Sequence, residues 1–326
     1  MSPEVTAAVI AASVGVLTVI ATVVVQISGR RATSRDTQQA FDEQREQLST
    51  TLAAQREQLD RTLAEQRTRT LNERFATAAE QLGSDKPAAV RLAGVYAMAG
   101  LADDWPENRQ TCVDVLCGYL RIPYEPDPGQ DAPGPERLAF RASREVRHTV
   151  IRVITAHLKV DAAVSWQGLH FDFTGVVFDG GSFDNARFSG GMVSFHGAEF
   201  AGDTVSFDNA RFSGGMVSFH GAEFAGDIVS FHGAEFSGGL VIFWDAKFPG
   251  GLVYFADARL SGGLVDFTGV EFGGATVAFR GTRFSGGTVD FRRPSDWSYP
   301  PEFPWTDTPP PGVKLPGKED QSQEQA

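Results

Sequence analysis

Apolar and polar positions follow four successive patterns along the chain, and each predicts a different element. Residues 5–28 hold an uncharged run of more than twenty positions rich in Val, Ala and Ile, long enough for one helix across a bilayer. Glu4 precedes the run, and Arg30 and Arg31 follow it. A cleaved signal peptide carries its positive charge in front, so the run reads as an anchor. Positive flanks stay in the cytoplasm, which predicts a single-pass protein of the inner membrane, with residues 1–4 as a short outside N-terminus and residues 30–326 in the cytoplasm.

From residue 34 to 69 the composition turns to Gln, Glu, Arg, Ala and Leu without Gly or Pro, which favours helix. Its period is eleven: residues 45–55 are echoed by residues 56–66. Eleven residues in three turns keep the stripe of Leu48, Leu52, Leu59 and Leu63 nearly straight. A stripe this narrow fits a helical stalk over residues 30–71 that associates with its own copies, making the chain a homo-oligomer.

Residues 72–160 predict a small helical domain. Val90, Gly94, Ala97 and Leu101 form one apolar face, and Val113, Leu116, Cys117 and Leu120 form another, so the two helices pair. A Pro-rich loop spans residues 123–135. Beyond it, Val146, Val150, Val153 and Ile154 mark one face of a further helix, placed to cover the start of the segment that follows.

That segment, residues 161–292, organises the chain. Over residues 193–288 a unit of twelve recurs eight times, with the consensus Val-x-Phe-x-x-Ala-x-Phe-x-Gly-Gly-x. Each unit resolves into two pentapeptides and a dipeptide insert, and upstream, from Phe171 to Gly190, the pentapeptides run without inserts. Residues two apart on a short extended segment point the same way, so Ala234 and Phe236 face inward while Glu235 faces water. Gly and Asx residues then turn the corners. This pattern resembles the pentapeptide repeat family, which implies a right-handed quadrilateral β-solenoid of twenty residues per coil.

Two inserts per four faces raise the coil to 24 residues. Residues 183–206 recur at 207–230 with the single change of Thr204 to Ile228, as a whole-coil duplication requires, although two units of twelve duplicate as readily. Arg74-Phe75, Glu80 to Gly83 and Val90 to Tyr96 resemble a helical segment that precedes such repeats in membrane-anchored bacterial proteins. The fold class is thus α+β: a transmembrane helix, a stalk, a helical domain, then the solenoid. Its far end needs a lid, for which residues 293–308 offer Trp297, Tyr299, Phe303 and Trp305 among prolines. Residues 309–326 read as a disordered tail.

Charge enters last. The net charge is −12, and residues 161–292 hold 15 acidic against 7 basic side chains, a poor match to nucleic acid. Acids at 199, 223, 235 and 271 share one outward slot with Arg187, Arg211, Lys247, Arg259 and Arg283, which mixes both signs along the outward face. His196, His220 and His232 occupy a turn position and read as solvated rather than as metal ligands. Cys112 and Cys117 read as core. No phosphate loop, nucleophile elbow or metal motif stands in the sequence, which predicts a protein without enzymatic activity or cofactor.

The dipeptide inserts end in Met192, Thr204, Met216, Ile228, Leu240, Leu252, Leu264, Thr276 and Thr288. Either they fold inward beside Val, or they form apolar stripes that mark a contact surface, with Met216, Ile228, Leu240, Leu252 and Leu264 its candidate residues. The expected function is a membrane-tethered scaffold that presents an acidic solenoid to a cytoplasmic protein. The resemblance also implies an alternative, because relatives in that family that bind DNA gyrase mimic DNA phosphates with carboxylates: an inhibitor of a DNA-binding enzyme.

Overall fold

The structure is a computed structural model that describes residues 34–83, 85–125 and 127–317. It comprises two units, residues up to 68 and residues from 69 onward. The described residues of the first are the leading part of helix α1 (Ser34–Gln81), and Phe41, Leu48, Leu52, Leu59 and Leu63 lie exposed along it. Pairs one turn apart, such as Glu57 and Arg61, support it locally. The expected membrane segment at residues 5–28 lies outside the described residues. Among the described residues, no helix is long and apolar enough to cross a membrane.

The second unit starts with the last turns of α1, where Leu71 and Ala78 are buried. Helices α2 (Ala88–Asp104), α3 (Arg109–Arg121) and α4 (Gly134–Leu158) follow. The expected face of α3 is buried as read, with Val113, Leu116, Cys117 and Leu120 all at 0–1% exposure. That of α2 needs correction: Gly94, Val95, Met98, Ala99, Leu101 and Ala102 are buried, whereas Val90 and Ala97 face outward. Gly94 sets this rotation, because a methyl added there would stand 2.9 Å from the Gln81 side chain and 3.0 Å from backbone, so only glycine lets α2 approach the end of α1.

From Phe171 the chain winds into a parallel β-solenoid. Partners in successive coils are 24 residues apart, as in Val193 with Val217 and Val253 with Val277, which settles the coil size. In the first coil the offset is 22, Phe171 with Val193 and Val177 with Glu199. One dipeptide insert is missing there, so the coil is shorter by two while its ladders stay in register.

Four columns of Phe fill the interior. Phe195, Phe219, Phe243, Phe267 and Phe291 stack at 4.6–4.8 Å between ring centroids in one, and Phe207, Phe231, Phe255 and Phe279 at 4.6–4.9 Å in another. The columns that start with Phe178 under Phe200 and Phe188 under Phe212 complete the square. Each coil therefore has four faces, at residues 193–195, 198–200, 205–207 and 210–212 in one example. At a corner the Ala198 N–H donates to Phe195 O at 3.1 Å, closing a turn whose third residue, Gly197, has φ +57°. Asn185, Asn209, Asp245 and Asp257 take equivalent left-handed positions, which Asn and Asp tolerate best among residues with a side chain.

Both ends are covered. At the start, α4 lays Ile151 over Gly181 and its Thr155 hydroxyl donates to Ser182 O. At the far end Trp297 meets Phe272 edge-on at 5.3 Å, Phe303 stacks on Phe279, and Trp305 packs on both Phe284 and Phe303. Tyr299 stays 58% exposed, so three of the four expected aromatics form the lid. The tail expected to be disordered is ordered in part: Val313–Lys314 adds a strand, with Val313 beside Val289 and Lys314 beside Asp290. A parallel edge left open at Val289 offers unpaired backbone groups, and Val313 returns 24 residues later to take them.

Candidate functional site

The outward positions of the solenoid form ladders, and the coil of 24 determines which residues share one. The slot between the inward Ala and Phe alternates between two faces, so residues twelve apart separate. One face stacks Arg187, Arg211, Glu235, Arg259 and Arg283. The face two corners away stacks Glu199, Glu223, Lys247, Glu271 and Asp296. Two corners of a square are half a turn, so these ladders lie on opposite sides. The expectation of mixed signs along one outward face is thereby corrected: the coil sorts the bases from the acids.

Each ladder holds four charges of one sign and one of the other at its centre. Neighbouring like charges at the ~4.8 Å coil spacing repel by about 1 kcal/mol in water. Glu235 offsets this on the basic face, because its two carboxylate oxygens meet Arg211 Nε and Arg259 Nη1 at 3.1 Å each. A trough of about 500 Å³ runs along this face, lined by Arg187, Arg211, Glu235 and Arg259 with Asn185 and Asn209.

The inserts lie at two corners, one after each charged face. Met192, Met216, Leu240, Leu264 and Thr288 form one ladder, and Thr204, Ile228, Leu252 and Thr276 the other. None belongs to the buried core, and Met192 and Met216 are 49% and 38% exposed. The inserts therefore point outward or lie along the surface, and the five candidate residues divide between two edges: Met216, Leu240 and Leu264 on one, Ile228 and Leu252 on the other.

At the turn positions the His196 and His220 rings lie 4.7 Å apart and tilted by 49°, and Trp244, 41% exposed, meets His220 edge-on at 6.4 Å. His232 stands in a different column, beside Asp257. Among the described residues no group of three or more His, Cys, Asp or Glu side chains stands together as a metal site would need. Cys112 and Cys117 are buried, and burial pushes their thiols up to about 11 and about 12, so both are protonated at neutral pH.

A polar cluster between the helical domain and the first coil escaped the sequence reading, because nothing periodic connects its members. Asp179, at a corner of the coil, accepts hydrogen bonds from Tyr124 Oη at 2.7 Å and Arg144 Nε at 2.9 Å, and it lies 3.0 Å from His148 Nε2. Arg147, 4% exposed, donates to Leu120 O and Val177 O and lies over the Tyr124 ring. Burial pushes the Asp179 carboxyl up, but the hydrogen bonds from His148 and Tyr124 and the charges of His148 and Arg144 outweigh it, and it titrates below the usual carboxylate range. A depressed carboxylate stabilises the fold at pH above its unfolded value, near 3.9, and that contribution fades as pH falls through the folded value. Asp179→Asn is expected to cost roughly 1.5–3 kcal/mol at pH 7. The gap between wild type and variant in urea midpoint should close as the titration is repeated toward pH 3. A gap that stays constant with pH would mean the carboxylate charge is not what holds the lid.

Comparison with protein-family models, curated proteins and solved structures finds no match. The geometry of the ladders therefore carries the functional reading.

Proposed function

We propose that the chain is a scaffold without enzymatic activity, tethered to the inner membrane by residues 5–28, that presents its solenoid to a protein partner in the cytoplasm. The observation that carries this reading is the ordering of the outward side chains: four charges of one sign around a single opposite charge on each face, each face bordered by an insert edge, largely apolar, that is not part of the core. Partly exposed apolar ladders beside charge are the composition of a contact surface. The exposed leucines of α1 support a shared stalk, which would array several rods at one membrane.

Replacing Leu240, Leu252 and Leu264 together by Ser tests it. Pull-down of the membrane-extracted full chain is expected to lose its bound protein while the melting temperature moves by no more than a few degrees. Retained partner capture sinks the reading; a large fall in stability would show these residues to be core.

The sorting of Glu199, Glu223, Glu271 and Asp296 onto one face also favours the second reading, an inhibitor that mimics a phosphate row. Lys247 stands in the middle of that row. Inhibition of gyrase supercoiling by the full chain, relieved by Glu223→Lys, would support mimicry; no inhibition at micromolar protein would end it.

A further inference from the structure

The two charged ladders are complementary to each other. In chain order the basic face reads plus, plus, minus, plus, plus, and the acidic face minus, minus, plus, minus, minus. Both have five members at the same coil spacing, and both carry the odd charge at the third. Nothing within one chain requires this match, because Glu235 and Lys247 stand on opposite sides of a coil filled with Phe rings. We propose that a second copy of this chain is the occupant of these faces: the basic face of one solenoid lies against the acidic face of the next, with Glu235 opposite Lys247 and an Arg opposite an acid on the two coils to either side.

Charge complementarity carries the choice of occupant. A basic partner would meet Lys247 on the acidic face, and an acidic partner would meet Glu235 on the basic one. Only a surface with its own reversal at the centre satisfies either ladder fully, and the chain itself supplies it. The apolar edges follow the charged faces in the same sense around the coil, so copies running in the same direction border the paired faces with one on each side, and copies running in opposite directions bring both to one side. The contact is heterologous, using a different face on each partner, so it leaves a free basic face at one end of the pair and a free acidic face at the other, and rows grow. The sign order is symmetric about its centre, so the pairing holds for copies running in either relative direction. Copies paired in this way cover the charged faces on which the partner reading above also rests, so a protein partner would meet the free faces at the ends of a row.

The test uses the full chain in detergent. Zero-length carbodiimide coupling joins a carboxylate to an amine in direct contact, and a Glu235–Lys247 link in the peptide mass spectrum can form only between chains. That link is expected at low salt and absent at about 1 M salt, where the screening length is ~3 Å. Lys247 linked to Glu223 or Glu271 alone, its neighbours within one chain, would overturn the proposal. Light scattering gives the second arm. Glu235→Arg alone and Lys247→Glu alone are expected to reduce the mass to the value that wild type shows at high salt, which retains only what the stalk holds together. Mixing the two variants should restore it, since five bases then face five acids and the two unaltered ladders face each other. A melting scan of each variant checks that it is folded. If one is not, the cross-link on wild type decides. A mass indifferent to salt, substitution and mixing overturns the proposal equally.

Discussion

Replacing Phe219 by alanine is expected to lower the unfolding free energy of the solenoid by about 3–5 kcal/mol. The ring is fully buried and lies between Phe195 at 4.8 Å and Phe243 at 4.7 Å, with Phe207 and Phe231 edge-on at 6.1 and 6.0 Å. Such a cavity collapses poorly, because the rings above and below belong to coils whose separation is set by backbone hydrogen bonds such as Phe195 N to Ser218 O at 2.7 Å. The upper end of the range for Phe→Ala is therefore the expectation. Since each coil touches only its neighbours, the loss should be local. Amide exchange is expected to accelerate most in the coils that carry Phe195, Phe219 and Phe243, and least at the two lids. Phe→Leu should be milder, since Leu260 already occupies the Phe236 column at 2% exposure. A urea midpoint within experimental error of wild type would mean that the Phe columns are not what closes the coil.

Much of this architecture is written in the period of the sequence. The duplication of residues 183–206 pointed to a coil of 24, and the strand offsets agree. What was missed shows how far a period must be followed. Pooling the outward slot every twelve residues hid the sorting of charge; taking it every 24, as 187, 211, 235, 259, 283 against 199, 223, 247, 271, separates the signs with no structure in hand, Glu235 and Lys247 excepted. The same step from Val289 lands on Val313, the strand concealed in a Pro-rich tail. Asp179 and its partners were not legible, because Tyr124, Arg144 and His148 come from a loop and a helix with no shared period. Burial of α2 was misread for a related reason. Its side is chosen by one close approach at Gly94, and neither Val90 nor Ala97 signals that.

The corners provide the second large effect, and a comparison of two glycines isolates its cause. Gly215 has φ +67°, and a methyl built there would stand 2.2 Å from Gly191 O and 2.8 Å from Gly190 C in the coil before. Gly197 has φ +57° and open space around the same position. Alanine at Gly197 therefore pays only for a left-handed residue, roughly 1–2 kcal/mol. Alanine at Gly215 adds a clash with backbone, which cannot rotate away as a side chain would, so the corner must lift off the coil beneath it. Overpacking of that kind costs a further ~1–3 kcal/mol or more. Gly215→Ala is thus expected to lose about 1–3 kcal/mol more than Gly197→Ala in urea denaturation of the full chain. The sequence obeys the same distinction: Ser-Gly-Gly recurs at 189, 213, 237, 261 and 285 at this corner, whereas the other insert corner accepts Asp203, Asp227 and Ala275 in the equivalent place. Equal losses at Gly215 and Gly197 would show that φ alone selects glycine and that the coils can spread at the corner. A larger loss at Gly215 would fix close stacking of backbone on backbone as the reason for the Gly-Gly step. Because Met216 follows directly, the same contact holds the apolar edge at its spacing along the rod.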